Sequence, residues 1–182
     1  MNLKPIRIKK ILYTTDLSDT ALQAFSYAAS LANMYGASIT ILHVVTDHAT
    51  IEARLSGIVS NDQWLTIKER YVSEAKQSLS GKRRDNRMIH ETLNQFAHNA
   101  KTDSGEPLFE MDEILVLWGD PVEQILKASK EHDCDLIVMG THGHSVIKDM
   151  LGTTARRVTR QSTIPVLTVR LQDQNKTHAH AG

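Results

Sequence analysis

The feature that most restricts the fold is the run Ser38-Ile39-Thr40-Ile41-Leu42-His43-Val44-Val45, rich in β-branched residues and nearly continuous in apolar character. A strand of this kind is covered on both faces, as in a sheet of parallel strands sandwiched by helices. A similar run, Ile11-Leu12-Tyr13-Thr14-Thr15, lies upstream and is bounded by Asp16 and Ser18, which fits a buried strand ending in a cap. Between the two, Ala21, Leu22, Phe25, Ala28, Ala29 and Ala32 recur at intervals of three and four. Ser18 or Asp19 stands where a cap is needed and Gly36 where the helix must stop. Strand, amphipathic helix and strand form a βαβ unit, whose right-handed crossover makes its strands parallel neighbours.

The pattern returns further on. Residues 113–118 read as a third strand running into Gly119-Asp120-Pro121, with Asp120 as helix cap and proline at the first helical position. Asp135-Leu136-Ile137-Val138-Met139-Gly140 reads as a fourth, doubly covered strand, followed by a loop, a helix through Ala155, Val158 and Thr159, and a last strand at 166–170. The expectation is one α/β domain over residues 1–171, an open five-stranded parallel sheet with helices on both faces. Residues 46–112 read as a long helical connection. Trp64, Ile67, Tyr71, Ala75 and Leu79 have helical spacing, 81–85 with Lys82-Arg83-Arg84 reads as a solvated break, and a second helix is expected from about 88 to 100. Residues 101–107 carry turn chemistry. The polar tail, 172–182, is too poor in apolar groups to order itself and is expected to be disordered.

At 182 residues, one core with an insertion or tail is expected. Lys+Arg and Asp+Glu both total 21, so bulk charge gives no reason to expect nucleic acid or an anionic membrane as a partner. The single cysteine, Cys134, cannot form a disulfide within one chain. No apolar run reaches membrane-spanning length and the first residues do not resemble a signal peptide. A cytoplasmic location is therefore expected.

Ligands of open parallel sheets sit beyond the carboxyl ends of the strands, where strand order reverses, because helix starts and loop amides converge there. The first strand ends at Thr15-Asp16, the second at Val44-Val45-Thr46, and the fourth at Met139-Gly140-Thr141-His142-Gly143-His144. If the first and fourth flank the reversal, Asp16 faces the glycine loop across one crevice. Gly140 and Gly143 permit close backbone approach and positive φ, and Gly152-Thr153-Thr154 opens the next helix with amides and hydroxyls for an anion. A carboxylate is a poor neighbour for phosphates but a good acceptor for ribose hydroxyls. A nucleotide, with sugar near Asp16 and phosphates near Gly152, meets both demands.

These residues resemble the universal stress protein family. Ile11-Leu12-Tyr13-Thr14-Thr15-Asp16-Leu17-Ser18, Ile41-Leu42-His43-Val44-Val45, Gly119-Asp120-Pro121 and Met139-Gly140-Thr141-His142-Gly143 are similar to that family's first strand and acid, second strand, third helix start and glycine loop. The resemblance implies an adenine nucleotide alpha hydrolase-like sheet of strand order 3-2-1-4-5 and a cytoplasmic stress-response protein. It would bind ATP, or alternatively ADP or AMP, with Mg as an optional companion. It would act as a homodimeric regulator or adaptor, pairing through the last strand at 166–170.

By the same resemblance Asp16 binds ribose, Val44 and Met139 line the adenine pocket, and Gly140, Gly143, Gly152, Thr153 and Thr154 hold ribose and phosphates. Thr14, Thr15, His142 and His144 complete the expected nucleotide-binding set. Two departures stand out: Thr14 occupies a position that is often proline, and eight residues instead of nine separate Gly143 from Gly152. The shorter loop either leaves Gly152 at the helix start or moves its amides out of reach. In the second case the chain is a member of the family that binds no nucleotide and acts as a dimeric docking module.

Plainer roles stand beside these. Asp16 suits helix capping. His43, His142 and His144 have no carboxylate or cysteine at ligand spacing, so no metal site is expected. Arg156, Arg157 and Arg160 read as a helix face that reaches phosphates at most. A phospho-accepting receiver needs an acidic pair after the first strand and an aspartate ending the third, whereas this chain has Asp16 and a capping Asp120. Neither a general base nor a Gly-Lys-Ser/Thr lysine is visible, so any hydrolysis is expected to be slow.

Overall fold

A computed structural model of the chain describes residues 6–46, 57–74, 81–101, 105, 107–141 and 152–170. Its elements are β1 (Lys10–Thr15), α1 (Asp19–Tyr35), β2 (Ser38–Val45), α2 (Asn61–Glu74), α3 (Gly81–His98), β3 (Glu110–Trp118), α4 (Pro121–Glu131), β4 (Leu136–Gly140), α5 (Thr153–Gln161) and β5 (Val166–Val169). The five strands form one parallel sheet in the order β3-β2-β1-β4-β5, as the resemblance implied.

Each helix end follows from its residues. Ser18 caps α1 by accepting from the Ala21 amide at 3.3 Å. Gly36, at φ +62°, ends the helix in the left-handed conformation that glycine adopts without a Cβ penalty. At the start of α4 the Asp120 carboxylate accepts from the Glu123 amide at 3.0 Å, with Pro121 pre-set in the first turn. Gly119, at φ +133°, makes the preceding turn, which favours glycine.

Two apolar layers coat the sheet. On one face Ile11, Tyr13, Ile39, Ile41 and Val138 pack with the apolar stripes of α1, α2 and α3, including the buried Trp64 and the tilted ring pair Phe25–Phe96. On the other, Leu12, Leu42, Ile137 and Met139 meet Val122 and Ile125 of α4 and Ala155 and Val158 of α5. Neighbouring residues of one strand thus enter opposite layers, the two-residue period of a strand buried on both sides. Burying each such aliphatic side chain contributes about 1.5–3 kcal/mol.

Residues 46–112 are where the observed elements depart from the pattern. Residues 81–85 are not a break but the first turn of α3, because lysine and arginine are good helix formers. The third strand begins at Glu110, three residues before the expected start at 113, since the backbone of this edge strand pairs with Ser38 and Ile39 whatever its side chains. Its register slips between Ile39 and Thr40, so that Asp112 is the extra residue of a bulge. The bulge brings the Asp112 carboxylate to Lys10 Nζ at 2.9 Å and to the buried Thr40 hydroxyl at 2.9 Å. Lys101 and Pro107 pair in an isolated antiparallel bridge, and residues 102–104 and 106 of the expected loop lie outside the described residues. The tail expected at 172–182 lies outside the described residues.

The Lys10–Asp112 pair lies at the amino ends of the strands. Its hydrogen bond is the chief reason the Asp112 carboxyl lies below its ordinary 3.8 and the Lys10 ammonium above its ordinary 10.5. A lowered carboxyl stabilises the fold above its unfolded value, and that contribution disappears as pH falls through the folded one. A raised ammonium stabilises below its unfolded value, and that contribution disappears as pH rises through the folded one. Melting curves of the wild type and Asp112→Asn should therefore differ most between pH 3.8 and 10.5 and converge beyond both ends. Because the pair is part-exposed, the gap should stay below about 1 kcal/mol.

Candidate functional site

Strand order reverses between β1 and β4: from β1 the chain builds outward through β2 to β3, then crosses over to β4 and β5. A cleft of about 370 Å³ opens there at the carboxyl ends of the strands. Its floor follows the strand period. Thr14 is in register with Leu42 on one side and Met139 on the other, and the three form a row across β2, β1 and β4. Two residues further along each strand stand Asp16, Val44 and Thr141, and Thr46 follows Val44. The walls are the starts of α4, at Pro121 and Ile125, and of α5, at Gly152, Thr153 and Thr154.

The turn from β1 into α1 fixes Asp16. The Tyr13 hydroxyl, fully buried, donates to the Ala21 carbonyl at 2.7 Å and ties the strand to the first turn of the helix. Burial pushes the Tyr13 phenol above its ordinary value of 10.0, so it remains the protonated donor. Leu17 sits at φ +65°, a conformation that costs a non-glycine residue about 1–2 kcal/mol. Its side chain is buried in the core and its amide donates to Thr15 Oγ1 at 3.0 Å. The Asp16 carboxylate accepts from both the amide and the hydroxyl of Ser18, leaving the Ser18 oxygen turned to cap α1. Ser18 is thus the cap itself, and Asp16 orients it.

His43 is register partner to Thr15 and buried at 3% exposure; its Nδ1 lies 2.8 Å from the Thr15 carbonyl. A carbonyl only accepts, so Nδ1 carries the proton. The imidazole is occupied in holding the end of β1, and no His/Cys/Asp/Glu group suited to a metal occurs among the described residues.

At the start of α5, Gly152 is the N-cap at φ −54°, and no side chain caps the turn. The first helical amides have no intrahelical acceptors. Gly152 donates to the Thr141 carbonyl at 2.8 Å, and the Thr141 amide donates to Val169 at 2.8 Å. The shortened glycine loop therefore leaves Gly152 at the helix start and on the cleft. Gly140 does not use the positive φ that it permits: it ends β4, as the fourth-strand reading has it, as a paired residue opposite Val169. Arg157 Nη1 lies 3.4 Å from Asp120 Oδ2, joining the starts of α4 and α5. The Asp120 carboxyl is held below its ordinary value first by the Glu123 amide and then by Arg157. Cys134 is a buried free thiol that burial pushes up to about 11, too high for a ready nucleophile.

The model of the universal stress protein family matches residues 7–170. The chain belongs to that family. Universal stress protein YxiE of Bacillus subtilis is 32% identical over 162 residues, covering 88% of this chain and 98% of the relative. The fold is shared with UspA from Lactobacillus plantarum, at TM-score 0.61 and 23% identity over 91% of this chain and all of that one. It is also shared with a universal stress protein solved in complex with cAMP, at TM-score 0.53 and 21% identity over 92% of this chain and all of that one.

Of the site residues expected for a universal stress protein, Thr14, Thr15, Asp16, Val44, Met139, Gly140, Gly152, Thr153 and Thr154 all line the cleft. His142, Gly143 and His144 lie outside the described residues. Leu42, Thr46 and Thr141 also line it and were missed, although the two-residue period continued from Val44 and Met139 selects all three. Ile125 has no such signal, since it comes from the helix packed over the floor.

Tyr13→Phe should lower unfolding free energy by about 1 kcal/mol, read by urea denaturation at unchanged slope. The Ala21 carbonyl keeps its place in α1 and loses only the phenol.

Proposed function

We propose that the cleft binds an adenine nucleotide, ATP or its di- or monophosphate relative, as a regulatory ligand of a stress-response protein. The observation that carries this reading is the convergence of Asp16, Val44, Met139 and Gly152, far apart in sequence, on one cleft at the strand-order reversal. The volume lies within the range of about 300–1,000 Å³ common to small-ligand sites. The chemistry divides as a nucleotide does. Val44, Met139, Leu42 and the buried Thr14 offer a flat, largely apolar bed for adenine. The Asp16 carboxylate, part-exposed and oriented by Ser18, accepts from ribose hydroxyls. Gly140, the uncapped start of α5 and its Thr153 and Thr154 hydroxyls take the phosphates, with Gly143, His142 and His144 supplied by the glycine loop and Mg accompanying a polyphosphate.

Support from relatives is of one kind: a universal stress protein of this fold holds cAMP, so the architecture admits an adenine nucleotide. The shorter glycine loop favours the alternative of a non-binding docking module. Gly152 keeping its place on the cleft favours binding. Among the described cleft residues Asp16 is the one carboxylate and it is engaged by ribose in this reading, so the nucleotide acts as a ligand and is hydrolysed slowly if at all. Among the described residues no helix is long and apolar enough to cross a membrane.

Calorimetry with ATP and AMP tests the reading. Binding should be seen, and Asp16→Ala should weaken both about 10- to 100-fold by removing a charged acceptor. Absence of binding at millimolar ligand would leave the docking-module alternative.

The edge strand β5, at 166–169, presents part-exposed Val166, Leu167 and Thr168 with backbone groups open to another strand. This favours a homodimer paired through β5. Light scattering at micromolar concentration should give twice the chain mass, and Leu167→Lys should shift it toward one chain.

A further inference from the structure

The described lining of the cleft holds one carboxylate, Asp16, and neither lysine nor arginine, although a polyphosphate brings several negative charges. Among the described residues, an arrangement that could answer them is the Arg157–Asp120 pair joining the starts of α4 and α5. Arg157 follows Thr153, a lining residue, by four positions, so the two share one face of α5. Helical side chains lean toward the helix amino end, which for Arg157 is toward the Thr153 and Thr154 amides. Asp120 immediately precedes Pro121, another lining residue. Its Oδ1 is anchored by the Glu123 amide at 3.0 Å and its Oδ2 faces Arg157. The ion pair therefore sits at the rim where the two helix starts meet.

We propose that Arg157 reads the number of phosphates on the bound nucleotide, exchanging its contact with Asp120 for the terminal phosphate of a di- or triphosphate. The inference rests on the nucleotide reading above. A single 3.4 Å contact between half-exposed groups is weak, and it engages only part of a guanidinium that carries five donors. A phosphate group offers that fork several oxygens and a shorter, charge-assisted geometry. Asp120 holds the guanidinium near the helix starts when no polyphosphate is bound. Its own charge, fixed at the rim, repels a polyphosphate until Arg157 turns inward. A monophosphate, whose single group is taken by the α5 amides, leaves the pair in place. The arrangement would favour triphosphate over monophosphate through one residue.

The test is calorimetric titration of the full chain with AMP, ADP and ATP, for the wild type, Arg157→Gln and Asp120→Ser. Glutamine keeps helix propensity and serine keeps the cap of α4. Arg157→Gln should weaken ATP about tenfold while leaving AMP unchanged, and Asp120→Ser should tighten ATP relative to AMP. Equal weakening of ATP and AMP by Arg157→Gln, or no change in either, overturns the inference while the nucleotide reading stands. A wild type that binds none of the three overturns both.

Discussion

The site depends on one topological constraint: β1 is hydrogen-bonded on both sides, to β2 and to β4, while the chain leaves its carboxyl end for one layer of helices and returns to β4 from the other. Connections that diverge cannot also cover the strand ends between them. The resulting gap is what the order β3-β2-β1-β4-β5 produces whatever the side chains. Side chains decide only what the gap can hold. Here they make its floor of Thr14, Leu42 and Met139 neutral and part-apolar, its near edge acidic at Asp16, and its far edge a helix start.

Rigidity at Asp16 comes from a chain of short-range bonds that run from the core to the cleft. Tyr13 holds the first turn of α1, the buried Leu17 is held in a left-handed conformation, and Ser18 is shared between Asp16 and the Ala21 amide. The strain at Leu17 is offset by burial of its side chain and by the Thr15 hydroxyl. A carboxylate on so short a tether needs little reordering to receive a ligand, which is the energetic advantage of a preorganised site.

Much of this was legible in the residues. Strands buried on both faces announce themselves by nearly continuous apolar runs, as at 38–45 and 136–140, and the caps Ser18, Asp120 and Gly36 all act as their chemistry suggests. The segment between β2 and β3 was harder. The apolar stripe of α3 begins only at Met88, after an opening of charged and polar residues, and β3 opens on Glu110 and Asp112 because the start of this edge strand is held by backbone pairing. Within the cleft, every residue that follows the strand period could have been found. The contributions of helices packed above the sheet, such as Ile125, depend on tertiary placement that no local pattern encodes. The Arg157–Asp120 contact, between residues 37 positions apart, is of the same kind.

The bond from Gly152 to the Thr141 carbonyl, with Thr141 itself fastened to β5, brings both ends of the glycine loop to a single point on the sheet. A segment tethered in this way is a lariat: residues can be gained or lost inside it at a loop-closure cost that grows only logarithmically with length, while the knot stays still. The helix that begins at the knot is thus insulated from such changes. A change of loop length becomes a means of altering what reaches over the cleft without moving what lies beneath it.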